Sequence, residues 1–325
     1  MEEIVELKGV TKRIGGKTIV DGLTFTVRPG EVFGFLGPNG AGKTTTIRMM
    51  VGLISMTEGE VVIAGHSVKR EFEQAMRHVG AIVENPEFYG FMTGHQNLVH
   101  YARMYPDIAG ERIAEVVNLV HLENRIHDKV KTYSLGMRQR LGVAQAILHR
   151  PSVLVLDEPT NGLDPEGIRE LRDYLRHLAV AEGLAVIVSS HLLSEMELMC
   201  DRVAIIQNGR LLDVRSFKER PEGTELVDVC FEVDRPGEAS ERLQRLRQAA
   251  GEQHDHIAEI GAPEIGEIRT EGSGSIVVAL PNRPEAIARV NALLVEGGFQ
   301  VSGIRTLTKT LEDQFLEVTR GNRIV

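Results

Sequence analysis

No run of apolar residues in the 325-residue chain approaches the roughly 18 that a membrane-spanning helix needs. Cysteine is scarce. Cys200 and Cys230 are the only two, far apart and outside any metal-ligand spacing, and they read as free thiols of a reducing cytosol. Positive charge is in deficit: 37 Lys and Arg stand against 46 Asp and Glu, and the net charge of -9 argues against a broad nucleic-acid-binding surface. The opening residues Met1-Glu2-Glu3-Ile4 are acidic and lead straight into apolar-polar alternation, unlike a signal peptide. No internal repeat is found. What remains is an ordinary globular balance, with 42% apolar and 26% charged residues, enough for a large core and for one to three domains.

The pattern along the chain predicts an α/β architecture. Ile4 to Leu7 and Leu23 to Val27 read as strands of an antiparallel opening sheet. Glu31 to Leu36 is a short apolar strand that runs into a Gly-rich loop, and the residues after Lys43 read as helix. Residues near 66 to 77 and 94 to 150 are mostly helical in pattern. Val153 to Leu156 and Ala185 to Val188 are unbroken apolar runs separated by a helix-like stretch, as in a parallel sheet buried on both faces. Asn208-Gly209 joins two apolar strands with the turn residues that a hairpin favours. Composition shifts near Pro221-Glu222-Gly223, which sets domain bounds of 1-218 and 219-325. The second part reads as a small α+β domain. It has strands at Val227 to Val233 and Ile276 to Leu280, and helix faces marked by Leu243 and Leu246 and by Ile287, Val290 and Leu294. A loop is expected over 250 to 274, and a capping box at Thr310 to Asp313 would open a last helix.

Gly37-Pro38-Asn39-Gly40-Ala41-Gly42-Lys43-Thr44 matches G-x-x-x-x-G-K-[ST] in full. Glycines let the backbone wrap closely enough for successive N–H groups to face phosphate oxygens, and the helix that follows adds its positive end. Lys43 is expected to reach the β- and γ-phosphates of ATP, Thr44 to ligate Mg²⁺, and Thr45 to join the nucleotide contacts. Asp157 and Glu158 follow the apolar run at 153 to 156, at the edge where open α/β sheets place ligands. Asp157 would hold Mg²⁺, and Glu158 would orient and activate the attacking water.

With these come four further segments: Tyr133-Ser134-Leu135-Gly136-Met137-Arg138-Gln139-Arg140, Asn161-Gly162-Leu163-Asp164, Ser190-His191, and Val79 to Glu84. In this order they resemble the signature motif, D-loop, switch histidine and Q-loop of the nucleotide-binding subunits of ABC transporters, a match over about residues 1 to 215. The resemblance implies a P-loop NTPase core with an antiparallel β subdomain and a helical subdomain that carries the signature motif. It implies a second copy of the chain, with each ATP held between one copy's phosphate loop and the other's Ser134 and Gly136. Asp164 would communicate between the sites, and His191 would hold the γ-phosphate and the attacking water. Separate membrane-spanning permease subunits would carry the transport path, placing the chain on the cytoplasmic face of the membrane, and no nucleic acid is expected as partner.

Three segments depart from the family's pattern. The signature usually reads Leu-Ser-Gly-Gly-Gln. Glu84 replaces the usual Q-loop glutamine, where it could approach Mg²⁺ through water. Ile14 takes the place of the aromatic residue that stacks on adenine, which implies weaker base selectivity. Glu84 to Tyr89, Tyr133 to Met137 and the tail Leu311 to Leu316 resemble one subset, the bacterial exporters of peptide antibiotics of bacitracin and lantibiotic type and their resistance relatives. A soluble ABC-type ATPase acting on nucleic acid or ribosomes is the alternative. It calls for two nucleotide domains in one chain or a long coiled-coil insertion, and neither is seen. A nucleotide-binding regulator without hydrolysis is disfavoured by Glu158. His254-Asp255-His256 lies in polar, loop-like sequence and reads as loop rather than metal site; Arg242 to Arg247 reads as a solvated helix face; Met196, Met199 and Leu192 read as core.

Overall fold

The computed structural model of the chain describes residues 3–105, 108–217, 226–251, 265–272 and 274–307. Pro221 to Gly223, His254 to His256, and the segments from Thr310 and Leu311 lie outside them. The chain divides into two compact units, residues 1–218 and 219–325.

The first unit opens with β1 (Val5–Ile14) and β2 (Lys17–Val27), antiparallel about a Gly15-Gly16 turn. After β3 (Val32–Leu36) and α1 (Lys43–Met50) the chain returns as β4 (Glu58–Ile63) and β5 (His66–Ser67), completing a four-stranded sheet in the order β2-β1-β4-β5. The helical reading of 66 to 77 is therefore corrected at its start. Ala64 and Gly65 take positive φ and turn the chain into the short strand β5, and only Phe72–Arg77 is helical (α2).

β6 (Val79–Ile82) then leads to the helical region of α3 (Gly94–Ala102), α4 (Gly110–Leu119), a 3₁₀ turn (Val130–Thr132) and α5 (Leu135–Ala146). α3 starts with a capping box: Gln96 N donates to Thr93 Oγ1 at 3.1 Å, and Thr93 N donates to Gln96 Oε1 at 2.9 Å. β7 (Val153–Leu156), α6 (Pro165–Glu182), β8 (Ala185–Ser190), α7 (Leu193–Met199) and the hairpin β9 (Arg202–Gln207) and β10 (Arg210–Ser216) follow. Asn208 and Gly209 both take positive φ between the hairpin strands.

The second sheet has six strands in the order β10-β9-β3-β8-β7-β6, parallel except for β10. Every residue of β3, β7 and β8 is buried, which is why these strands read as continuous apolar runs. On one face Phe33, Phe35, Val155 and Ile187 share a core with Leu7, Leu23 and Phe25 of the antiparallel sheet and Ile47 and Met49 of α1. The Phe25 and Phe33 rings stack at 5.3 Å. On the other face α7 lies close on Gly34, where a Cβ would come within 2.8 Å of Met196 Sδ and 2.9 Å of Cys200 Sγ. Met196 and Met199 are core as expected, but Leu192 is 45% exposed. It precedes the helix in extended conformation, and Leu193 fills the inward position instead. Cys200 and Cys230 are buried free thiols.

The second unit runs β11 (Leu226–Val233), α8 (Pro236–Gly251), β12 (Ile268–Glu271), β13 (Ser275–Pro281), α9 (Pro284–Glu296) and β14 (Val301–Leu307). The antiparallel order β12-β13-β11-β14 is that of a ferredoxin-like split β-α-β unit. Val229, Phe231, Ile276 and Val278 face Leu243 of α8 and Val290 and Leu294 of α9. The loop expected over 250 to 274 contains β12. That edge strand buries only Ile268 of its four residues, so the sequence shows no alternation there. Among the described residues no helix is long and apolar enough to cross a membrane.

Phe33 is fully buried where the two sheets of the first unit meet. Phe33→Ala is expected to lower the stability of that unit by about 3–5 kcal/mol, read as a shifted urea midpoint.

Candidate active site

The parallel register fixes where the functional side chains emerge. Leu36 pairs with Ser190 and Leu156 with Val188, so the ends of β3, β7 and β8 lie side by side. The phosphate loop leaves β3 over residues 37 to 42. A Cβ on Gly37 would stand 2.4 Å from the Ile206 carbonyl oxygen, so the loop can lie against β9 only with glycine there. Gly209, in the β9–β10 turn, donates its N–H to the Ala41 carbonyl at 3.0 Å and braces the loop from the side. Pro38, Asn39 and Gly40 are exposed at the crest, Ala41 is buried beneath, and Thr44 and Thr45 are half-buried in the first turn of α1.

Lys43 is 5% exposed. Its ammonium donates to the Gly37 carbonyl at 2.8 Å and lies 3.2 Å from Glu158 Oε1. The other Glu158 oxygen accepts from Asn161 Nδ2 at 2.8 Å and lies 3.0 Å from His191 Nδ1. Burial pushes the Glu158 carboxyl up, but hydrogen bonds from Asn161, Lys43 and His191 and the Lys43 charge outweigh it, and its pKa is lowered on balance. Glu158 sits at φ 47°, a left-handed conformation that costs a non-glycine residue about 1–3 kcal/mol and is found at functional sites. Ser189 Oγ accepts from the Glu158 N–H at 2.8 Å and donates to Asp157 Oδ1 at 2.6 Å, so one hydroxyl holds both residues. Asp157 is 5% exposed.

Lys43, Asp157, Glu158 and His191 are thus brought together. The other expected residues lie around this centre. Ser134 caps α5, accepting from Met137 N at 3.2 Å, and Gly136 follows in its first turn beside Leu163. Asp164 caps α6, accepting from Gly167 N at 2.8 Å. Glu84 takes φ 68° and forms an ion pair with Arg48 of α1. Ile14 ends β1 and is 55% exposed.

Sequence reading missed Ser189, whose hydroxyl holds both Asp157 and Glu158. The polar pair Ser189-Ser190 closing an otherwise apolar buried strand was the available signal. Asn97, fully buried, accepts from Tyr89 N at 3.0 Å and donates to Tyr89 O at 3.2 Å and Thr93 O at 2.9 Å, fixing the segment after Glu84. It carried no signal apart from its place in a helix.

A glycine-rich loop between a buried strand and a helix, with a lysine facing an acidic pair at the next strand end but one, defines a P-loop nucleoside triphosphate hydrolase. The family described as "ABC transporter" matches residues 20–161. The chain is 52% identical over 320 residues to "Uncharacterized ABC transporter ATP-binding protein YhcH" of Bacillus subtilis (strain 168), over 98% of this chain and 97% of that one. It is 36% identical over 324 residues, 100% of both chains, to "Bacitracin transport ATP-binding protein BcrA" of Bacillus licheniformis. A solved "Structure of ATP binding subunit of ABC transporter" superposes with a TM-score of 0.59 at 25% identity, covering 79% of this chain and 97% of that one. The chain belongs to the ABC transporter family: it is an ATP-binding, ATP-hydrolysing subunit that energises transport.

Ile14 can meet a nucleobase only through apolar contact. Ile14→Tyr is expected to tighten ATP binding by about 1–3 kcal/mol through stacking, read by titration with ATP. Unchanged affinity would remove Ile14 from the base site.

Proposed function

We propose that the chain drives export of a peptide antibiotic or similar compound through separate membrane-spanning subunits, by closing on a second copy of itself around ATP. The substrate class rests on the full-length similarity to the bacitracin transport subunit. The observation that carries the mechanism is the Lys43–Glu158–His191 cluster at the ends of β3, β7 and β8. Glu158 is the general base: it holds the attacking water and takes its proton, while His191 orients the pair. Arrival of the γ-phosphate gives Lys43 a stronger partner than the Gly37 carbonyl and Glu158, and so releases the carboxylate toward water.

Ser134 and Gly136 complete the site from the second copy. They present a helix start and backbone N–H groups suited to an anion. Asp164 follows Leu163, whose side chain would lie 3.7 Å from a Cβ on Gly136, and in this reading it passes the state of one site to the other.

Mg²⁺ fits the oxygen donors present. Thr44 offers a hydroxyl and Asp157 a nearly buried carboxylate with no cationic side chain in ion-pair range among the described residues. The ion would be held by these two residues and would neutralise phosphate charge. Glu84 is engaged by Arg48 through one carboxylate oxygen, so its proposed approach to the ion is through water rather than direct. The permease is proposed to dock near the segment after Glu84, where Tyr89 and Phe91 stand 47% and 68% exposed on a backbone fixed by Asn97. That docking would hold the chain at the cytoplasmic face of the membrane.

Glu158→Gln is expected to lower turnover by roughly 10²–10⁴-fold while keeping ATP binding and favouring the closed dimer. Phosphate release, ATP titration and size-exclusion chromatography with ATP check this, and normal turnover would end the assignment of Glu158.

A further inference from the structure

Glu195 belongs to none of the motifs above. It projects from α7, a helix packed on the phosphate-loop strand through Met196, whose sulfur lies 2.8 Å from where a Cβ on Gly34 would fall. One of its carboxylate oxygens accepts two hydrogen bonds: from Thr160 Oγ1 at 2.8 Å and from Ser190 Oγ at 3.0 Å. Both donors are nearly buried, at 5% and 2% exposure. Ser190 Oγ in turn accepts from Leu192 N at 3.0 Å, which shapes the chain on either side of His191. Thr160 lies in the turn that starts at Glu158 and runs to Asp164; the Asn161 and Leu163 N–H groups close that turn on the carbonyls of Glu158 and Thr160.

We infer that Glu195 is a positioning residue for hydrolysis. It ties the turn carrying Glu158 and Asp164 to the strand end carrying His191, and holds both against the element that carries the phosphate loop. The inference rests on the proposed roles of Glu158 and His191. Its physical basis is that a buried hydroxyl without its acceptor is costly, so the two segments stay in register only while the shared oxygen is present. Lys43 makes its hydrogen bonds to the loop carbonyls, and the loop meets this strand end through Gly37 N–H to the Ser190 carbonyl at 3.3 Å rather than through the Ser190 hydroxyl, so nucleotide affinity should be spared.

The test is steady-state ATP hydrolysis by the full chain, expressed per bound nucleotide, for Glu195→Ala, Glu195→Gln and Thr160→Val beside Glu158→Gln. Glu195→Ala is expected to lower kcat roughly tenfold to a hundredfold with KM for ATP within about twofold. Glu195→Gln keeps an amide oxygen able to accept from both hydroxyls and is expected to recover most of the rate. Thr160→Val is expected to lower kcat severalfold, and to add nothing further to Glu195→Ala. Thr160→Val also serves if Glu195→Ala does not fold. Unchanged kcat in Glu195→Ala or Thr160→Val, equal losses in Glu195→Gln and Glu195→Ala, or a loss confined to KM would each overturn the inference. Normal turnover in Glu158→Gln would instead overturn the reading on which it rests.

Discussion

A buried ammonium must be surrounded by oxygens, and the first unit is organised around that requirement. Lys43 is held between the Gly37 carbonyl and the Glu158 carboxylate. Its near-complete burial makes an unpaired state expensive. Meeting that need brings together a loop from the end of β3 and a turn from the end of β7, with β8 lying between those strands in the sheet. A parallel sheet is the arrangement that aligns such ends, and the apolar packing of Phe33, Phe35, Val155 and Ile187 holds the alignment. Such a pair says little about stability by itself. Its value here is positional: the cation proposed to meet phosphate and the carboxylate proposed to meet water restrain each other.

The same economy of groups runs through the site. Ser189 serves Asp157 and Glu158 with one hydroxyl, and Glu195 serves Thr160 and Ser190 with one oxygen. Glu158 is surrounded by Lys43, Asn161 and His191, whose combined pull outweighs burial and keeps it ionised. A carboxylate in that state can accept a proton, which a neutral acid could not. By contrast Ser134 and Asp164 are each engaged in capping a helix of their own and belong to the rim rather than to this cluster. The chain gathers a cation, a carboxylate and an imidazole at one centre and, elsewhere on its surface, presents the separate helix start of α5. Two copies facing each other would join the two.

Much of this was legible in the sequence because it depends on local rules. The phosphate loop is a contiguous pattern, β7 and β8 announce themselves as unbroken apolar runs, and Asn208-Gly209 specifies its turn. What escaped depends on distant partners. β12 buries one residue of four, and β5 is two residues long, created by an Ala-Gly turn of no particular prominence. Leu192 differs from Leu193 only in lying on the near side of a helix start. Glu195, Asn97 and Arg48 are polar residues on helices, and a helix shows which of its residues face a partner only once that partner is in place. The ion pair that Arg48 makes with Glu84, across 36 residues of sequence, is such a case.

The central claim is that each copy supplies half of two ATP sites, and the most direct measurement is complementation between two inactive variants. Lys43→Ala removes the phosphate-loop cation and keeps Ser134; Ser134→Phe blocks the helix start and keeps Lys43. Mixed in equal amounts, the two form some dimers in which one site combines an intact phosphate loop from one copy with an intact Ser134 from the other. The account predicts that ATP hydrolysis, absent from each variant alone, returns on mixing to roughly a quarter of the wild-type rate, if half the dimers are mixed and each has one working site of two. No recovery on mixing, with both variants folded and the mixed dimer formed, would contradict it.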